Sequence, residues 1–154
     1  MMSLRAAGLV LGVVWLAGCG PMADEAPATT EPGPLMRPGW HCLATGCHFP
    51  DGRETPPDWG AGGTVFSRFD APASAGIANV AVTLRDARGA EVRLITNAAG
   101  NFYTPEPLEG PLEVTLERDG RTIKMPTPAP AGSCNFCHAQ PAIPEGPAGR
   151  IYAP

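Results

Sequence analysis

Five cysteines and three histidines fall into three groups, and one group has the spacing of a covalent haem site. Cys134-Asn135-Phe136-Cys137-His138 is a C-x-x-C-H segment. In that chemistry two thiols become thioethers on the porphyrin vinyl groups and the adjacent imidazole becomes an axial iron ligand, so all three must lie within one turn of chain. Cys42 and Cys47-His48 repeat the order with four residues between the thiols. The fifth cysteine, Cys19, ends the run Leu16-Ala17-Gly18-Cys19, far from any histidine.

The same residues admit other chemistry. Cys42 and Cys47 could close a tight disulfide loop, and a disulfide-stapled domain without haem would suit an oxidising compartment. Four thiolates at C-x4-C and C-x2-C also fit a zinc knot, which would give neither following histidine a role. A thioredoxin-like redox pair fits less well, because Cys134 follows Pro- and Gly-rich chain instead of opening a helix in a βαβ unit. If haem binds, His138 and His48 are the proximal ligands and His41 is the one remaining imidazole. His41 adjoins Cys42, too near to reach the far side of a haem attached there; as a distal ligand it would serve the haem at Cys134, and otherwise it faces solvent. Met125 and Met36 are the sulfur alternatives, Met125 being expected first to fill the apolar face of the last strand.

The opening of the chain says where this chemistry takes place. One positive charge at Arg5, an apolar or Gly run from Ala6 to Trp15, and the box ending at Cys19 match a bacterial lipoprotein leader. The run is too short to span a bilayer. The expected product is an exported protein cut after residue 18, with Cys19 lipidated and residues 19–39, rich in Pro, Ala and Thr, as a flexible tether. Its setting would be the cell envelope, at the periplasmic side of the outer membrane or the cell surface. The full chain has 11 Lys and Arg against 15 Asp and Glu, and loss of Arg5 makes the balance more acidic. No basic run remains to hold nucleic acid.

Beyond the tether the elements that must position these groups read as strands. Thr64–Phe69 opens them; Val80, Val82 and Leu84 alternate with Ala81, Thr83 and Arg85; Val92 and Leu94 flank Arg93; Asn101–Thr104 follows Gly100. Leu112, Val114 and Leu116 alternate with Glu113, Thr115 and Glu117, and Asp119-Gly120 is a two-residue hairpin turn into Arg121–Met125. Period two means one buried face. Short strands separated by Gly-containing turns predict an all-β domain, an antiparallel β-sandwich over 62–125. Flanks 40–61 and 126–154 carry the two Cys-His groups and scattered aromatics without a periodic stripe. A macrocycle worth ~25 cal/mol per Å² of buried apolar surface would supply the core they lack.

Gly63-Thr64-Val65, Ala78-Asn79-Val80-Ala81-Val82, Asp86-Ala87-Arg88-Gly89 and Thr96-Asn97-Ala98-Ala99-Gly100-Asn101-Phe102, with the closing hairpin, resemble the carboxypeptidase-regulatory-like, transthyretin-like β-sandwich. That likeness implies a non-catalytic scaffold and names no ligand. With Pro38-Gly39-Trp40-His41-Cys42, Cys134–His138 and Ala148-Gly149-Arg150-Ile151 included, the chain is similar to small exported bacterial lipoproteins that carry c-type haem motifs on both sides of such a sandwich. C-x4-C-H is a variant among multihaem cytochromes, so the resemblance allows one haem c or two. It implies a membrane-anchored electron-transfer protein that meets redox partner proteins. The alternative is a non-redox envelope lipoprotein whose stapled sandwich binds a protein or glycan. The serines lack a nucleophile elbow and no Gly-rich phosphate loop precedes a helix, so an enzyme is not expected.

Overall fold

The computed structural model describes residues 33–50, 58–142, 147 and 149–153. Cys19, the leader before it and the first part of the tether lie outside the described residues.

Alternation produces the larger sheet. Strand β2 (Ala81–Arg85) buries Val82 and Leu84, and β5 (Glu113–Arg118) buries Val114 and Leu116 while Glu113 and Glu117 face water. Their antiparallel register sets Val82 opposite Leu116 and Leu84 opposite Val114, so the apolar residues share one face. On the other side of β2, β3 (Glu91–Ile95) pairs Leu94 with Val82 and Val92 with Leu84. β6 (Arg121–Lys124) returns from β5 through Asp119 and Gly120, whose φ angles of 50° and 74° are the left-handed pair that a tight hairpin turn requires. The sheet order is β3-β2-β5-β6.

The second sheet has the order β4-β1-β7, formed by β4 (Asn101–Thr104), β1 (Ala61–Phe66) and β7 (Ile151–Tyr152). Its Val65 and Phe102 join Val80, Val82, Leu84 and Leu112 in the shared core. The result is an all-β, sandwich-like fold, as the alternation predicts.

Three details depart from the sequence expectation. β1 starts at Ala61 instead of Thr64 and stops at Phe66, leaving Phe69 53% exposed. Its early part contains Gly62 and Gly63, residues that strand propensity disfavours and that packing requires here. The third departure is β7, which comes from the C-terminal flank and runs parallel to β1, with Val65 opposite Ile151. Sheet pairing is therefore antiparallel except at this edge. Two residues carry no readable period, and a parallel partner reached through a long crossover leaves no local signal.

Neither flank is a separate unit. Gly39 N–H donates to Thr64 Oγ1 at 2.9 Å and Asn101 Nδ2 to the Met36 carbonyl at 3.0 Å, fixing the N-terminal flank to β1 and β4. Gly62 N–H donates to the Gly132 carbonyl at 2.9 Å and Arg150 N–H to that of Phe69 at 2.7 Å, fixing the C-terminal one. Backbone groups of irregular chain thus find partners on the sheet.

Candidate functional site

Helix α1 (Cys134–Cys137) is a single turn closed by the His138 N–H on the Cys134 carbonyl at 3.0 Å. Positions i, i+3 and i+4 of a turn share a face. Cys134, Cys137 and His138 accordingly line one cavity of 230 Å³, while Asn135 and Phe136 do not. Val114, Leu116 and Ile151 contribute apolar lining, and Met125 lines the same cavity.

His138 is oriented from behind. Its Nδ1 lies 3.1 Å from the Gly149 carbonyl, an acceptor, so Nδ1 carries the proton and Nε2 keeps its lone pair. Burial lowers the His138 pKa, partly opposed by this hydrogen bond, and the neutral, ligating form is favoured. An imidazole whose far nitrogen is held by a backbone carbonyl is the usual arrangement of a metal-binding histidine.

Burial pushes the Cys134 thiol up to about 12, with the neighbouring Cys42 and Cys137 adding to the shift. Burial likewise raises Cys42 to about 12, against hydrogen bonds that lower it. Both are neutral thiols at physiological pH and poor nucleophiles in the folded chain.

The opposite face of α1 is structural. Asn135 is 1% exposed; its Oδ1 accepts from Thr64 N–H at 3.0 Å, and its Nδ2 donates to the Trp40 carbonyl at 2.8 Å and to Thr64 Oγ1 at 3.1 Å. One amide therefore joins β1, the N-terminal flank and the haem-type motif. The approach is close because β1 presents glycine: a Cβ on Gly63 would lie 2.9 Å from Cys134 Cβ and 2.7 Å from Phe102 Cζ. Sequence reasoning missed both devices. An Asn at an unspecified motif position and a Gly pair in a strand signal a close approach only in hindsight, although an isolated strand glycine is itself a hint of one.

The first Cys-His group is arranged differently. Cys42 is a free thiol, donating to the Trp40 carbonyl at 3.4 Å and lying 3.8 Å from Asn135 Nδ2, so it sits behind α1 and is not paired with Cys47. Cys47 is buried. His48 stacks face to face on Trp59 at 3.4 Å between centroids, and Trp59 stacks on Tyr103 at 4.2 Å. His41 packs against Phe136 at 5.0 Å. The fold thus brings Cys134, Cys137 and His138 to one cavity, and places Cys42 and His41 against the other side of the same turn. Cys47 and His48 are not among the cavity residues. Among the described residues no group of three or more His, Cys, Asp or Glu side chains is placed to hold a metal ion by itself, so the four-thiolate knot is not assembled there.

The donor set fits a c-type haem. Two thiols, an imidazole with a free Nε2 and an apolar lining occupy one cavity, whose volume falls below the ~300–1,000 Å³ of pockets that enclose a whole ligand. It can seat part of a macrocycle. Lys124, paired with Glu113 at 3.0 Å, and Arg150, which donates to the Gly39 carbonyl at 3.3 Å, also line it. Ser133 Oγ, in the same lining, is buried without a hydrogen-bond partner among the described residues. No family model, curated protein or solved structure matches the chain.

Proposed function

We propose that this chain is a lipid-anchored electron carrier of the cell envelope holding covalent c-type haem, with Cys134, Cys137 and His138 as the principal site. The single observation that carries this reading is that these three side chains line one apolar cavity with His138 Nδ1 tied to the Gly149 carbonyl. When bound, haem supplies a one-electron iron couple. The chain's own residues do the rest. Cys134 and Cys137 hold the group covalently, His138 offers Nε2 to the metal, and Val114, Leu116 and Ile151 keep water from that edge of the site.

Cys42, Cys47 and His48 form a second attachment site only if Cys42 leaves the back of α1, so one haem is the expected load of the structure as it stands and two the upper count. Cys19 carries the lipid in this reading, redox partner proteins meet the anchored domain at the envelope, and no catalytic step is assigned.

The test is expression in a host with a cytochrome c maturation system, followed by acid-acetone extraction and intact-mass measurement. Colour should stay with the protein and the mass should rise by one haem or two. Cys134→Ala with Cys137→Ala should abolish the principal haem; Cys42→Ala with Cys47→Ala should lower the count only if the first group is also loaded. A colourless product from a host that matures other c-type cytochromes would refute the proposal and leave a non-redox binding module as the reading.

A further inference from the structure

We propose that Met125 supplies the second axial ligand, through its Sδ, to the iron held by His138; this rests on the haem reading above. The histidines do not offer one at this cavity. His41 packs on Phe136, on the face of α1 turned away from Cys134, Cys137 and His138, and His48 is stacked on Trp59. Met36 lies elsewhere, its carbonyl bound by Asn101 at the β4 edge.

Among the residues lining the cavity, the side chains with a donor atom suited to iron are Met125, Lys124 and Tyr152. Lys124 Nζ is engaged with Glu113 Oε2 at 3.0 Å, and an ammonium has no lone pair to give. Tyr152 is 47% exposed and would have to lose a proton to ligate well. A thioether has no proton to lose.

Met125 is also placed by the backbone. Its N–H donates to the Val114 carbonyl at 2.9 Å, which ties its Cα to β5 directly after β6, and its side chain is half-buried against the core. Val114 lines the same cavity. An exposed side chain would need ordering before it could ligate; this one is already confined beside the Cys134–His138 turn. Flexible Met commonly fills gaps in cores, and here the gap it borders is the proposed haem site. Thioether ligation favours ferrous over ferric iron and would raise the potential relative to bis-histidine ligation.

The full chain, loaded with haem during expression, is measured in the ferric state for the far-red sulfur-to-iron charge-transfer band and in the ferrous state for a methionine methyl resonance shifted upfield by the porphyrin ring current. Wild type should show both. Met125→Leu should lose both, bind added imidazole and carbon monoxide that wild type excludes, and show a lower potential; Met125→His should restore six-coordination without the band. Met36→Leu, Lys124→Ala and Tyr152→Phe should keep the band. Leu is close to Met in volume, and such exchanges cost under ~1.5 kcal/mol, so the variant should fold. Should it fail to, the wild-type methyl resonance decides the matter, its absence refuting the assignment. Covalent haem without the band, or a band surviving in Met125→Leu, overturns Met125 and leaves the haem reading intact. Absence of covalent haem overturns both.

Discussion

Replacing Asn135 by Ala should release the N-terminal flank from α1 and β1 while leaving the four-stranded sheet in place. The amide accepts from Thr64 N–H at 3.0 Å, a buried bond, and donates to the part-buried Trp40 carbonyl at 2.8 Å. Alanine leaves that N–H without its partner and that carbonyl with only the Cys42 thiol at 3.4 Å. A buried polar group stripped of its hydrogen bond costs ~1–3 kcal/mol, so the Thr64 N–H puts the expected loss at about 1–3 kcal/mol, to which the part-buried carbonyl adds less. Against a domain stability of ~5–15 kcal/mol this is large enough to read in urea unfolding of the reduced, haem-free chain. The loss should be spatially selective. Cys42, held beside the amide at 3.8 Å, should react with an alkylating reagent faster in the variant, as read by peptide-resolved mass spectrometry, while amides of β2 and β5 keep their exchange protection. A loss below ~1 kcal/mol with Cys42 still protected would mean that water or rearrangement satisfies the freed groups, and the account of Asn135 as the joint between the flanks would be refuted.

Two further perturbations follow from the packing and the charge distribution. Gly63→Ala would set a Cβ 2.7 Å from Phe102 Cζ and 2.9 Å from Cys134 Cβ, two side chains confined in the core; a destabilisation of ~1–3 kcal/mol is expected by denaturant titration, with a lower yield of haem-loaded protein. Burial tends to raise the Asp86 carboxyl pKa, but N–H donors from Ala90, Glu109 and Arg88, with the Arg88 guanidinium, outweigh it and the folded value is lowered. The stability this contributes is present above the unfolded carboxylate pKa and is lost as pH falls through the folded one. Asp86→Asn should therefore flatten that part of the acid-unfolding curve, and an unchanged pH dependence would remove Asp86 from the account.

What the sequence made legible was local. Alternation located β2 and β5, the Asp119-Gly120 pair located the hairpin, and spacing alone singled out Cys134, Cys137 and His138 as a group. The illegible parts depend on contacts between distant residues. β7 is two residues long and pairs with β1 across most of the domain, and the cavity takes lining from both β5 and the turn after β6. The sequence predicts a strand beginning at Thr64, after Gly62-Gly63, because glycine lowers strand propensity; the structure includes the pair in β1 and uses Gly63 for the close approach of α1. The first Cys-His group was read by analogy of order, yet order does not fix direction: Cys42 points behind α1, and the pairing of Cys42 with Cys47 is not formed.

The two faces of α1 explain why a five-residue motif could be read only in part. Haem chemistry specifies positions 134, 137 and 138 and is silent about 135 and 136. The fold has used those silent positions for attachment, Asn135 to β1 and the Trp40 carbonyl, Phe136 to His41. Cys134 is buried and Cys42 half-buried, and both are neutral, as a consequence of that attachment, since the same docking that orients the turn draws the thiols away from water. A thiol must be reachable and partly ionised to add to a vinyl group, so docking and attachment compete for one segment. In the proposed function attachment has to come first, on a chain whose flank has not yet closed over α1, and the Asn135 hydrogen bonds then fix His138 and its Gly149 partner in the ligating orientation. The structural half of the motif is what turns three correctly spaced residues into a site with a defined direction.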